Sequence, residues 1–287
     1  MKKRILLIGV VINLLIFGSI NSAAQLNGDT FKQAKITKKA NVVYVFSKTP
    51  GFIYPTSGGQ YAGICVDIMK SFEKYVKSKY GITIQSRFQQ SSGNSFTRML
   101  ASVKSANGGV FGLGNITITE ARKKTYNFTP PFINNIALIV TNKSVPSLTN
   151  LEDMGSVFKG MTAYVVKGST NAIDIFKWKK EYFPDMNISY IGSATEAVNK
   201  VASNPKAFTN VDFAYYLDAI KAKKSVKRHV AGSSSSEEIG MIMPKSNDWA
   251  PVLAEFMNAG FIGGAEYKAI IRKHLGESAI KLLESVK

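Results

Sequence analysis

Two blocks of this chain repeat one alternation of strand, helix, strand, helix and strand, and that repetition limits the fold more than any other feature. In the first block, apolar strand patterns at residues 42–47, 82–88 and 110–119 are separated by helical patterns at 65–79 and 96–104. In the second, strand patterns at 162–166, 188–190 and 211–216 are separated by helical patterns at 172–179 and 195–202. Strands spaced by helices build parallel sheets, because a parallel pair needs a long crossover between its members. Each block is therefore expected to form its own α/β lobe. A further strand at 135–141 runs into a polar, proline-containing stretch at 142–147, after which the second block begins. Beyond a serine run at 233–236, read as a flexible loop, come a strand at 239–243 and two helices. A serial two-domain chain, and one whose end returns to the first lobe, share this local pattern.

The first 24 residues stand apart. Lys2, Lys3 and Arg4 form a positive region, residues 5–20 an apolar run, and Ser22, Ala23 and Ala24 a cleavage site, the three parts of a secretory signal peptide. An uncleaved anchor is the alternative, but the run is short of a span of about 20 residues, and Asn13 interrupts it. Cleavage after Ala24 leaves 263 of the 287 residues, ample for two lobes with separate cores. No cysteine stands at that junction, so a soluble product without a lipid tether is expected. No later stretch is apolar for long enough to cross a bilayer.

Composition narrows the chemistry. The net charge of +18 falls to +15 once the three leader cations are removed. Basic residues are scattered, and the densest cluster, at 221–228, reads as one solvated helix face. Nucleic acid is therefore not expected, and the charge serves as a weak long-range attraction for anions. The single cysteine, Cys65, has no partner for an internal disulfide. It lies at an apolar helix start, where a small buried hydrophobe is expected rather than a nucleophile. Two histidines, at 229 and 274, without cysteine or carboxylate at ligand spacing, give no zinc signal.

The polar chemistry concentrates in residues 114–132, GNITITEARKKTYNFTPPF. Ile116 and Ile118 alternate with Thr117 and Thr119, the period of a half-buried strand end. Thr119 is placed to cap a short helix opening at Glu120. Arg122 then lies on a helical turn just past the carboxyl end of a strand, the edge where open α/β sheets bind ligands. A guanidinium there, beside the Thr117 hydroxyl, suits a small carboxylate because its planar fork donates two parallel hydrogen bonds. Taken alone, an arginine after a turn reads equally as a surface residue. Gly168, Ser169 and Thr170 offer a second anion site, where a helix start presents free N–H groups and its dipole's positive end. The same residues also fit a plain helix cap.

These segments resemble the polar amino-acid family of bacterial extracellular solute-binding proteins (family 3), the periplasmic receptors of ABC importers. Residues 117–122, TITEAR, and 128–132, FTPPF, are similar to the family's G-x-[ST]-I-T-x-x-R followed by F-[ST]-x-P-[YF], with Asn115 where glycine is usual. Residues 63–67, GICVD, resemble its G-[FY]-D-V-D helix start, with Cys65 replacing the first aspartate. Residues 168–170 look like its G-T-T turn, and 238–245 and 267–276 like its return strand and terminal helix. The resemblance covers essentially the whole chain after residue 25. It implies an α/β, two-lobed periplasmic binding protein fold of type II, with a ligand cleft between lobes joined by two crossing strands. Residues 1–24 are then the signal peptide, 25–138 with 240–287 a discontinuous first lobe, and 139–239 the second.

The resemblance further implies a monomeric, non-enzymatic periplasmic receptor, without metal or cofactor. It would capture a small carboxylated solute, foremost a polar amino acid, and hand it to a membrane ABC permease. Arg122, Thr117, Asn115, Ser169 and Thr170 are then expected at the ligand, with Phe52 and Phe96 as aromatic walls. Phe96 equally fits the core of an amphipathic helix. For the α-ammonium, the family usually has an aspartate five residues beyond one that opens a strand. With Asp212 read as that opening, the position is Leu217 and the nearest carboxylate is Asp218, expected as the ammonium partner or as a helix cap. Two other readings stay open. Dehydratases acting on cyclohexadienyl acids share the architecture and need a general acid, for which Glu237, Glu238 or Asp218 are available. An orphan receptor feeding a membrane sensor has the same site and a different partner.

Overall fold

The computed structural model describes residues 25–232, 237–277 and 280, so the expected leader at 1–24 and the serine run at 233–236 lie outside the described residues. The described chain begins near helix α1 (Phe31–Thr37), held by a capping box between Thr30 and Gln33, and enters strand β1 (Lys39–Phe46). A small hairpin, β2 (Tyr54–Pro55) with β3 (Tyr61–Ala62), leads into the long helix α2 (Ile64–Tyr80). Next come β4 (Thr83–Gln90), α3 (Phe96–Lys104), β5 (Val110–Thr117) and the one-turn helix α4 (Glu120–Lys123). Strands β6 (Tyr126–Phe128) and β7 (Ile133–Asn135) lead to the changeover between lobes.

The second lobe opens with β8 (Ala137–Asn142), α5 (Met154–Val157), β9 (Thr162–Val166) and α6 (Thr170–Glu181). It continues through β10 (Asn187–Ile191), α7 (Ala194–Ser203), β11 (Ala207–Asp212), α8 (Phe213–Lys221) and β12 (Val226–Arg228). Strand β13 (Glu237–Pro244) and helices α9 (Ala250–Phe256) and α10 (Ala265–Leu275) follow.

Backbone pairing decides what the local pattern left open. The first sheet has six strands in the order β4-β1-β5-β13-β6, with β7 also on β13. Strand β1 is parallel to β4 and β5, whereas β13 is antiparallel to β5, β6 and β7. The chain therefore returns to its first lobe, and two crossings join the lobes. The second sheet runs β10-β9-β11-β8-β12, with β9 parallel to its neighbours and β8 antiparallel to both of its own. Sheet membership changes at Ile136, and β13 pairs with β7 from Glu237 onward. Both changeovers fall just ahead of the 138/139 and 239/240 boundaries expected from sequence. Apolar residues mark strands without marking their partners.

One apolar cluster runs from Phe46, Phe72 and Trp249 in the first lobe through Ile136 to Val198 and Val226 under the second sheet. The opposite face of that sheet packs Ile139, Ala163 and Phe208 against Phe158 and Trp178. Cys65 is fully buried at the start of α2, and burial pushes its thiol pKa up to about 12, as suits a packed hydrophobe. Two elements differ from expectation. Residues 211–216 are the end of β11 and the start of α8, not one strand, and 221–228 are a helix end followed by β12, not a helix face.

Candidate functional site

Strand ends gather the polar residues. Past Thr117, Thr119 Oγ1 accepts the Arg122 N–H at 3.2 Å and so starts α4, as its sequence implies. That single turn brings the arginine back over the strand end, where Nη1 donates to the Thr117 carbonyl at 2.8 Å. Nη2 reaches the other lobe and donates to the Gly168 carbonyl at 3.0 Å. The Phe96 ring, opening α3, lies 5.5 Å from the guanidinium carbon, a cation–π contact. Two of the fork's five N–H groups are thus engaged by carbonyls of the described residues. Burial lowers the guanidinium's pKa from its ordinary value, and Asp212 and Glu237 act in the opposite sense.

From the second lobe, β9 reaches α6 through a turn that needs Gly168, whose φ of 79° is left-handed. Ser169 caps α6: its Oγ accepts from the Ala172 N–H at 3.1 Å and donates to the Val166 carbonyl at 2.8 Å. Its hydroxyl is therefore used within its own turn. Thr170 Oγ1 stands 3.3 Å from Thr117 Oγ1 of the facing lobe. Thr117 also donates to Glu237 Oε2 at 3.2 Å, so it is placed to accept from Thr170.

The carboxylate at this junction is Asp212, and it corrects the expectation for Asp218. Strand β11 opens at Ala207, so the residue five beyond its opening is Asp212 itself. Asp212 is 7% exposed and its Oδ1 accepts from Asn135 Nδ2 at 2.9 Å and Asn171 Nδ2 at 3.0 Å. Asn115, expected at the ligand, donates to Oδ2 from β5 across the cleft. Burial pushes the Asp212 pKa up to about 6; the Asn171 and Asn135 hydrogen bonds oppose the rise, Glu237 adds to it and Arg122 opposes it. Asp218 is exposed on α8 and lines a different groove with Gly51, Lys221 and His274. The missed signal was the apolar run ending in an aspartate immediately before a helical pattern.

Phe52 is also corrected. It is 1% exposed, with its ring 6.3 Å from that of Phe132 inside the first lobe, and it follows Gly51, whose φ of 74° is left-handed. Phe96 does face the cleft, and the second ring lining it is Tyr215, whose hydroxyl lies 3.4 Å from Thr49 Oγ1 of the first lobe. Of the acids considered for a dehydratase, Glu238 and Asp218 are exposed, and Glu237 is engaged by Thr117 and by Asn135 at 3.1 Å.

Asn115, Thr117, Arg122, Ser169, Thr170 and Asp212 line one cavity of about 50 Å³, a few waters in size. It is small because the lobes already touch. Arg122 to Gly168, Thr117 to Thr170, Asn115 to Asp212 and Thr97 to the Lys167 carbonyl (2.9 Å) all cross the gap. The arrangement sets a guanidinium of one lobe opposite a buried carboxylate of the other. Among the described residues, no group of three or more His, Cys, Asp or Glu is placed to hold a metal ion.

Known proteins bear on this geometry. The family model described as bacterial extracellular solute-binding proteins, family 3, matches residues 42–277. Among solved structures, the chain is similar to the arginine-, lysine-, histidine-binding protein ArtJ from the thermophilic bacterium Geobacillus stearothermophilus. That pair shares 21% identity and a TM-score of 0.66, over 83% of this chain and 96% of the other. A histidine-bound substrate-binding protein of an ABC uptake transporter from Streptococcus pneumoniae gives 19%, 0.67, 88% and 98% in the same order. An ancestral arginine-binding protein bound to glutamine gives 21%, 0.66, 83% and 98%. Identities this low speak for the fold, which is the two-lobed binding-protein fold. No curated protein sequence matches the chain.

Proposed function

The chain belongs to the bacterial extracellular solute-binding proteins, family 3, and from that premise we propose that it is a periplasmic receptor that closes over an amino acid and delivers it to an ABC permease. The observation that carries this reading is the pairing, across one cleft, of the Arg122 fork with the buried carboxylate of Asp212. The ligand's α-carboxylate takes the remaining Arg122 donors, the Thr170 hydroxyl as it turns from Thr117, and the free N–H groups at the start of α6, while Thr117 keeps its proton on Glu237. Its α-ammonium takes Asp212, already oriented by three asparagine amides. Phe96 and Tyr215 flank the side chain.

Ligand drives closure only if it binds the closed form more tightly than the open one. That condition is met when contacts come from both lobes, with Arg122 on one and Thr170 and Asp212 on the other. Export through the N-terminal leader and delivery to a permease follow the family's habit, and the protein is expected to act as a monomer. Calorimetry and thermal-shift assays against amino acids and against dicarboxylates lacking an amine test the reading. Amino acids should bind and stabilise. Failure of every small carboxylate to do so would sink it, and equal binding by amine-free dicarboxylates would remove Asp212 from its role.

A further inference from the structure

The cavity wall continues beyond Asp212. Asn210 lies two residues earlier on β11, hence on the same face of the strand, is 4% exposed and lines the same cavity. Its Nδ2 donates to Asp174 Oδ2 of α6 at 3.0 Å. That bond fixes which way the amide points, because an ionised carboxylate only accepts. The other end, Oδ1, is buried with no donor among the described residues. Buried polar atoms are nearly always partnered, so an orphan acceptor in a ligand cleft calls for a donor from the ligand.

The charge around it points the same way. Asp212 lines the cavity, Asp174 holds Asn210 and Glu237 holds Thr117. Burial raises the Asp174 pKa and Glu237 adds to the rise, so the ionised wall is already under like-charge repulsion. Against these carboxylates the cavity lining sets Arg122 and Lys48, and Lys48 is exposed. Arg122 is claimed by the ligand's own carboxylate.

We infer that the solute's side chain ends in a hydrogen-bond donor, as a carboxamide, amine or guanidinium does, that this donor meets Asn210 Oδ1, and that a side-chain carboxylate is refused. The inference rests on the amino-acid reading of the site: with the α-carboxylate on Arg122 and the ammonium on Asp212, the side chain is what remains to reach Asn210.

The test is calorimetry on the mature protein at neutral pH with glutamine, arginine, lysine, glutamate and alanine. At least one donor-ended ligand should bind about tenfold or more tighter than glutamate, since a polar site left unpaired or opposed discriminates strongly. Asn210→Leu should weaken the donor-ended ligands about tenfold more than it weakens alanine, which has no side-chain donor. Asn210→Thr, which keeps an oxygen acceptor, should fall between. Glutamate binding as tightly as glutamine would overturn the inference, and that comparison needs no variant to fold. Equal weakening of alanine and glutamine by Asn210→Leu would overturn it too, by making Asn210 a partner of the ligand's backbone. Should no amino acid bind at all, the amino-acid reading fails first and this one with it.

Discussion

Arg122 and Asp212 are opposite charges held apart by a cleft, and each answers a different test. Removing a charged partner from a desolvated carboxylate costs about 2–5 kcal/mol, so Arg122→Ala should lower ligand affinity by about 30-fold to several thousandfold. Its thermal melting should change little, because the guanidinium's own bonds are two carbonyls at the cleft edge. Lysine should not restore binding fully, lacking the planar fork. An Arg122→Ala protein with wild-type affinity by calorimetry would remove the residue from the site. For Asp212, the sign follows from its raised pKa of about 6. An ammonium binds the ionised form, so affinity should fall as pH drops below about 6, approaching tenfold per unit. Asp212→Asn should bind weakly and without that pH dependence; a wild-type profile flat from pH 4.5 to 8 would contradict the pairing. The place of Arg122 over a strand end was legible in the sequence because its motif is contiguous. Asp212 was not, because reading it as a strand's first residue instead of its last moved the search one helix too far.

Among elements, α4 and α8 show the two outcomes. The Thr119 cap could be read in advance because a cap is a local bond between a hydroxyl and an N–H three residues on. Thr119→Ala should cost about 1 kcal/mol. In a helix of one turn, that loss frees Arg122 more than it melts the protein. The measurement is a dissociation constant about fivefold weaker with a melting temperature close to wild type, and Thr119→Ser should recover the loss. A large drop in melting temperature with unchanged affinity would assign the cap to global stability alone. The α8 boundary was hidden by a coincidence of spacing. Val211 and Phe213 flank Asp212 at strand period, yet Phe213 and Ala214 begin a helix, and Leu217, four and three residues on, packs against the same core. The hairpin β2–β3 and helix α1 were also missed, being too short to show a period.

At the scale of the molecule, two lobes were readable from composition of pattern, while the return of β13 was not, since it is a pairing between strands far apart in sequence. Long-range burial also sets how stability responds to pH, through two groups that pull in opposite directions. His229 is 1% exposed: its Nδ1 accepts the Leu148 N–H at 2.8 Å, which leaves the proton on Nε2 to donate to Thr141 Oγ1 at 2.7 Å. Burial, with Lys227 adding, pulls its pKa down from 6.5 to about 4. Its contribution is therefore present above about 6.5 and lost as pH falls toward 4. Asp212 does the reverse: raised from 3.8 to about 6, it contributes stability below about 4 that is lost as pH rises through 6. Each spans up to about 3 kcal/mol by linkage, so between pH 4 and 6.5 the two largely offset. Ligand-free Asp212→Asn should expose the histidine alone, with urea-unfolding stability dropping more steeply than wild type from pH 6.5 to 4.5. His229→Gln should expose the aspartate, its stability rising relative to wild type over the same fall in pH. Parallel curves for all three proteins would mean that neither group is buried with the charge assigned to it.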